Sequence, residues 1–498
     1  MSLLILTLQL ILPITLTYII YLLYLHPLSA YPGPLLSRLT NIHRFLTFLR
    51  GTHHETEQAL HLKYGPVVRI APNWLSFSTL DAFESIYSFD KAIEKDDFYL
   101  FGRDPDPAER TRSIFSTKSD AEHRVKKRKV LGPALGSAAK VGRYEGVILR
   151  HVDVLVSRLR AEMPEDGTGR SVNLAPLLHR FTLDAMLDLV WGPALSSVPY
   201  TDLESAGDLS SGFRMLGKMA WACSVLPVFG WLANTRVAGA VLRRPKYSKD
   251  GEVMGVPGLM GAARDLILNH PQRIVGSSQA VILKYWLEVP AEDPGRMTPA
   301  EMGSEAFNLM IAGPGSMAAA LTALVFQLGT EEGWVWQEKL RGQAIAGDGA
   351  FSSELNAVIK ETLRFHAPFP TAFPRVITPG AETVIPGTSS AALPVGTMVS
   401  ANTFVLGRSA EIWGGDADQW RPERWLRSEV RRREMESKLV AFSKGARSCI
   451  GKELALLLIS KAAMEIIKIG PFRSVGELRG KSFVEMQYDA CWIDWDES

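Results

Sequence analysis

The sequence predicts a mainly α chain with a small β region: one large domain behind a single N-terminal transmembrane helix. Apolar residues recur at helical spacing through HETEQALHLKYG (54–65), DAEHRVKKRKVLGPAL (120–135), VILRHVDVLVSRLRAEM (147–163) and LAPLLHRFTLDAMLDLVWG (174–192). Runs of β-like composition are short: VVRIAP (67–72), WLSFST (74–79), FPRVI (373–377) and TMVSANTF (397–404). Residues 3–25 carry no charge at all.

The elements are justified in chain order. As a helix, residues 3–25 reach about 34 Å, enough to cross a bilayer core. Pro13 lies within this run, and membrane helices tolerate such a proline. No basic residue precedes the run, while Arg38 and Arg44 come after it, so the positive-inside bias places the remaining chain in the cytosol. A cleaved signal peptide would need a basic leader and a shorter apolar core. The next segment, HPLSAYPGP, cannot continue a helix and reads as a stiff hinge. The expected organisation is an anchor over 1–25, a hinge over 26–36 and one domain over 37–498. With 46% hydrophobic and 22% charged residues, that domain buries a large core. A net charge of +2 gives no argument for nucleic acid. The three cysteines, Cys223, Cys449 and Cys491, have neither disulfide-framework nor zinc spacing, which fits a reducing compartment.

TPAEMGSEAFNLMIAGPGSMAAALTALVFQL marks one helix start clearly. Thr298 is its N-cap, Pro299 its first residue, and Glu301 closes a capping box. The rest of this run is small or apolar almost throughout, as a helix buried through a large core requires. Near the C-terminus, FSKGARSCIG (442–451) precedes another helical pattern, GKELALLLISKAAMEIIKI. A helix N-terminus favours a thiolate at Cys449, and a thiolate can ligate metal. No cluster of further ligands stands at zinc spacing. A single axial thiolate to haem iron needs no other protein ligand. The other reading is a buried structural cysteine beside a helix cap.

Phe442, Gly445, Arg447, Cys449 and Gly451 match F-x-x-G-x-R-x-C-x-G, and on these residues the chain resembles the cytochrome P450 family. The resemblance extends to KETLR (360–364), similar to the E-x-x-R helix, and to WRPERW (420–425). It implies a single haem-thiolate domain, triangular and mostly α, with haem b as cofactor and Cys449 as the iron ligand. It further implies a Glu361–Arg364–Arg424 cluster of structural role that locks the loop presenting the thiolate. Gly445 would permit a tight turn, Gly451 a close approach to the macrocycle, and Phe442 would shield the sulfur. Arg447 and Arg375 would pair with propionates. His123 stands where many relatives have tryptophan, Lys127 lies four residues later on the same face, and both would join the propionate contacts. The basic run 126–129 also reads as a solvated face, or, with Lys444 and Lys452, as a docking patch for an acidic reductase.

One motif departs from the family. Relatives usually carry A-G-x-[DE]-T in the central helix, an acid–alcohol pair beside the oxygen site. Here Gly315 occupies the acid position and Ser316 the alcohol position, after Ala312, Gly313 and Pro314. Heterolytic O–O cleavage needs protons, and Gly315 offers no carboxyl. Glu305 lies about 16 Å before Ser316 along a helix axis, and Asn308 about 12 Å. Protons are therefore expected from ordered water or from the substrate, and aspartate at 315 is expected to improve coupling. Pro314 should kink or open the helix, because it lacks an N–H and clashes with the Met310 carbonyl.

Phe307, Met310, Ala312, Ala372, Phe373 and Phe483 are candidate pocket residues and suggest a small hydrophobic substrate. The stretch 224–241 is apolar enough to touch a membrane. The resemblance, closest in character to microsomal members from filamentous fungi, implies a monooxygenase of the endoplasmic reticulum membrane, single-pass with a cytosolic catalytic domain. It would take electrons from an NADPH-dependent flavoprotein reductase, oxidise a specialised metabolite and bind no nucleic acid. Two alternatives stay open. One is an atypical haem-thiolate enzyme catalysing rearrangement, dehydration or coupling without oxygen insertion. The other is a haem protein without turnover.

Overall fold

The structure is a computed structural model. It describes residues 2–87, 93–102, 111–163, 171–196, 246–247, 253–347, 352–380, 384–388 and 392–495, with scattered positions between 212 and 226. The apolar N-terminal run is helical, as α1 (Ser2–Ile20) and a π-helical turn over Tyr21–Leu25. Many of its large apolar side chains stand free of the body, Leu12 and Leu25 among them. Its C-terminal carbonyls meet cations: Arg69 Nη1 donates to Leu22 O at 2.9 Å and Arg38 Nη2 to Leu23 O at 2.9 Å. The proline-rich segment is docked rather than loose. Arg69 N donates to Pro32 O at 2.7 Å, and a Cβ at Gly33 would collide with the Arg69 carbonyl. Of the 224–241 stretch, all but Val225 and Leu226 lie outside the described residues.

The body is mainly helical. The helices that frame the site are α2 (His53–Tyr64), α3 (Asp120–Ala134), α4 (Glu145–Glu162), α5 (Leu174–Trp191), α6 (Pro299–Ala312), α7 (Pro314–Leu328), α8 (Ser353–Phe365) and α9 (Lys452–Ile469). The capping box at Thr298 is present, with Glu301 N to Thr298 Oγ1 at 3.2 Å and Thr298 N to Glu301 Oε2 at 2.9 Å. The central apolar run, 78% buried, is core and lies between α5, α9 and the C-terminal strands. It is two helices, because Pro314 cannot donate to Met310 O. The break is gentle, since Gly313 keeps helical angles of φ −83° and ψ −63°.

Two small sheets flank the helices, apart from a two-stranded pair of Lys246–Tyr247 with Val253–Met254. The strands are β1 (Val67–Ala71), β2 (Trp74–Phe77), β3 (Ile93–Lys95), β4 (Val172–Asn173), β5 (Arg375–Ile377), β6 (Met398–Ala401), β7 (Phe472–Ser482) and β8 (Met486–Trp495). The larger sheet has the order β1-β2-β6-β5-β3, with β2 and β6 parallel and the other pairs antiparallel. The smaller sheet runs β4-β8-β7. The β-like run 397–404 ends early because Asn402 caps a short helix through its side chain. In the larger sheet the register sets Lys95 opposite Arg375, and both are buried. Like charges directly opposed destabilise a ladder unless an anion lies between them.

Candidate active site

FSKGARSCIG forms a closed loop on the wall of a cavity of about 320 Å3. Cys449 N donates to Phe442 O at 2.8 Å, which seals the loop. Two left-handed residues turn it, Ser443 at φ 57° and Gly445 at φ 64°. Ser443 is the sole non-glycine with positive φ among the described residues, and such strain concentrates at functional sites. The sulfur faces the cavity, and a Cβ on Gly451 would touch only that sulfur, at 4.0 Å. Burial raises the Cys449 thiol pKa, while the N–H groups of Gly451 and Lys452 and the charges of Lys127 and Lys452 pull it down.

One end of the cavity is cationic. Lys95, Arg375 and Arg447 line it, and each is at least half-buried. Arg447 Nε donates to Asp120 at 2.8 Å and Nη2 to Lys118 O at 2.9 Å, but buried Nη1 has no partner among the described residues. Arg375 donates to Tyr99 and to Pro374 O. Desolvation, then the Arg375 and Arg447 charges, hold the Lys95 pKa well below the usual lysine value. Three crowded buried cations and an unmatched donor fit a dianionic group, as the two propionates of haem would be. His123 lines the same cavity and contacts Thr117 Oγ1 at 3.1 Å. Lys127 does not reach this end; it donates to Ser448 at 3.2 Å, beside the cysteine. Lys95, which no sequence motif marks, stands in the place expected of Lys127.

The central helix supplies the opposite wall through Leu309, Ala312, Gly313, Ser316, Met317 and Ala320. Ser316 Oγ donates back to Ala312 O at 2.7 Å or Gly313 O at 3.1 Å. Gly315 is explained by a residue distant in sequence. A Cβ there would fall on the carboxyl of Glu485, overlapping its Oε1, Cδ and Oε2. Glu485 lies in the turn between β7 and β8 and lines the cavity with Ser316 and Cys449. A carboxyl from the hairpin therefore lies beside the position where the central helix has none, and an aspartate side chain at 315 would contest the same space.

Of the six residues assigned to a pocket, Ala312 and Phe373 line the cavity. Phe307 and Met310 face the helical core, Phe483 packs with Phe48 in an aromatic cluster, and Ala372 is buried outside the lining. Phe115, Phe369, Val484 and Gln487 complete the apolar and polar walls instead. The helix is apolar all round, so composition does not say which face looks inward. The stripe 309, 312, 313, 316, 320, the face that carries Ser316, identifies it.

Outside the cavity, Glu361 accepts from Arg364 Nε at 2.9 Å, Arg364 Nη2 at 2.7 Å, Arg424 Nε at 3.0 Å and Trp425 Nε1 at 2.9 Å. All four residues are buried. The expected cluster therefore exists, and Arg364 extends it to the carbonyls of Gly407, Ala417 and Gln419. The basic run is less free than a docking patch requires. Lys126 and Lys129 both pair with Glu301, at 2.8 and 3.5 Å, and Lys444 pairs with Glu84, while Arg128 and Lys452 remain exposed.

Comparison with known proteins bears on this geometry. The family model described as Cytochrome P450 matches residues 277–468, which hold Ser316, Glu361, Arg364, Arg375, Arg424 and Cys449. Cytochrome P450 monooxygenase cicH of Emericella nidulans is 29% identical over 462 residues, covering 88% of this chain and 87% of that protein. Cytochrome P450 monooxygenase mfmA of Annulohypoxylon moriforme is 28% identical over 458 residues, covering 86% and 84%. Cytochrome P450 monooxygenase mpaDE of Penicillium roqueforti is 28% identical over 465 residues, and the chain spans about half of its length. Residues 277–468 thus match the cytochrome P450 family model, and over most of its length the chain is similar to fungal proteins named cytochrome P450 monooxygenases.

Proposed function

We propose that the protein is a membrane-anchored monooxygenase that oxidises a hydrophobic specialised metabolite with electrons from an NADPH-dependent flavoprotein reductase. The observation that carries this reading is the Cys449 sulfur on the wall of a cavity that has buried cations at one end and apolar residues over most of its surface. Among the described residues no cluster of His, Cys, Asp or Glu offers a rival metal site. Cys449 would ligate the haem iron, and Arg447, Arg375, Lys95 and His123 would hold the propionates. Bound there, the haem supplies activation of O2. Phe442 keeps water from the sulfur, and Phe115, Phe369, Phe373 and Val484 enclose an apolar substrate. The exposed apolar face of α1 supports a membrane anchor, and the reducing-compartment cysteine usage supports a cytosolic domain on the endoplasmic reticulum.

Microsomes that contain the chain and its reductase test the reaction class. Supplied with the substrate pool of the producing fungus and isotope-labelled O2, they should yield a product carrying one labelled oxygen atom. A product that forms only with this chain but carries no label would move the assignment to rearrangement or coupling. The carboxyl at Gly315 weighs against that outcome.

A further inference from the structure

Glycine at 315 and glutamate at 485 form one device. A Cβ at 315 would fall on the Glu485 carboxyl and push it aside, so glycine lets the carboxyl lie against the central helix. The backbone that carries Glu485 is held there by its turn. Phe483 N donates to Glu485 O at 3.1 Å, Met486 N donates to Pro368 O at 2.8 Å, and Thr371 Oγ1 donates to Val484 O at 2.8 Å. The turn is thus tied to the segment after α8 and cannot slide along the central helix. Glu485 lines the main cavity together with Ser316 and Cys449. It also lines a second cavity of about 10 Å3 with Gly315, Thr322, Gln487 and His179 of α5. That volume is near what a single water requires, and half-buried His179 touches solvent.

We propose that Glu485 is the proton-delivering acid of this enzyme, a carboxyl brought from the C-terminal hairpin to the position that the central helix leaves blank. The inference rests on the monooxygenase reading. In one turnover the substrate C–H, O2, NADPH and a proton become C–OH, water and NADP+. The two electrons come from NADPH through the reductase. Twice in each turnover Glu485 gives a proton to the Ser316 hydroxyl, which passes its own to the oxygen atom that departs as water, and the second proton balances the one that NADPH releases on giving up its two electrons. The carboxylate then regains a proton from solvent by way of the small cavity and His179. No group is consumed, and Ser316 returns to its bond with Ala312 O.

Glu485→Gln keeps the shape and removes the acid. General acid catalysis contributes on the order of 10²–10⁴-fold, so product per NADPH should fall at least about tenfold, with peroxide released instead and the solvent isotope effect on product formation altered. Moving the carboxyl back, as Gly315→Asp with Glu485→Ala, should restore most of the coupling, whereas Glu485→Ala alone should not. A readout independent of turnover is the melting temperature. Gly315→Ala should raise it in the Glu485→Ala background, since alanine favours helix, and should lower it or raise it less when Glu485 is present. Equal shifts in both backgrounds overturn the placement. A Glu485→Gln protein that shows the thiolate carbon monoxide spectrum and unchanged coupling overturns the proton role, as does a change confined to KM. Loss of that spectrum in the wild type would instead overturn the haem-thiolate reading itself.

Discussion

Single buried charges carry the sharpest expectations. Glu305 is fully buried in α6; Oε1 accepts from Ile114 N at 2.7 Å, and Oε2 has no partner among the described residues. Burial pushes its pKa from 4.5 up to about 8, against the opposing pull of Lys126 and Lys95. Below 4.5 both folded and unfolded chains hold the proton. Between 4.5 and 8 only the folded chain keeps it, so this contribution to stability falls as pH rises, by about 1.4 kcal/mol per pH unit. Glu305→Gln should remove that slope. Denaturant titrations from pH 5 to 9 should show the variant gaining on the wild type with rising pH, by about 5 kcal/mol at most; parallel curves would contradict the buried neutral acid. Lys95 gives a second case. Lys95→Met removes one cation that faces the cavity, and haem should dissociate roughly tenfold faster, a loss of about 1.4 kcal/mol. Transfer of haem to apomyoglobin measures that rate. The cysteine, Arg447, Arg375 and Ser316 were legible from spacing within short motifs. Lys95 and Glu485 were not. Lys95 comes from a three-residue strand whose meaning lies in its register with Arg375, and Glu485 from a hairpin turn that meets residue 315 only in the folded chain.

Elements were legible where local chemistry decides them. The capping box of Thr298 and the amphipathic stripe of α4 are written in neighbouring residues. The break at Gly313 was readable from Pro314, but its softness was not, since that depends on packing around Gly313 by Met186. α8 is joined to the 420–425 segment through charges, and its energetics derive from burial. Arg424→Met strands part of the Glu361 charge, whose oxygens also serve Arg364, Trp425 and the Arg421 amide. Removing one partner from a buried ion cluster costs about 3–5 kcal/mol. Chemical denaturation of the haem-loaded protein should show a loss of that size. A loss under about 1 kcal/mol, the value of a surface pair, would mean that the cluster does not hold this region together.

At the scale of the molecule, the proposed anchor and the body differ in what they expose. α1 projects apolar side chains outward, and Arg69 and Arg38 hold the Leu22 and Leu23 carbonyls of the turn that follows it on the body. Deleting residues 2–25 should move the protein from the microsomal pellet to the supernatant on carbonate-free centrifugation, with haem content retained. A truncated protein that stays in the pellet would assign membrane contact to the body instead. The fold class was legible because helical periodicity runs through long segments. The cavity wall was not, because an all-apolar helix hides its inward face and because Phe369, Val484 and Gln487 converge from distant loops and strands. The haem-thiolate reading of the cavity and the proposed proton route both depend on the sulfur of Cys449 binding haem iron. The most direct measurement is the carbon monoxide difference spectrum of the reduced, haem-loaded wild type beside Cys449→His. The wild type should show the strongly red-shifted Soret band of a thiolate-ligated haem, and the variant should lose it while keeping haem. The same band in both proteins, or its absence from a folded, haem-loaded wild type, would contradict the assignment of Cys449 as the iron ligand.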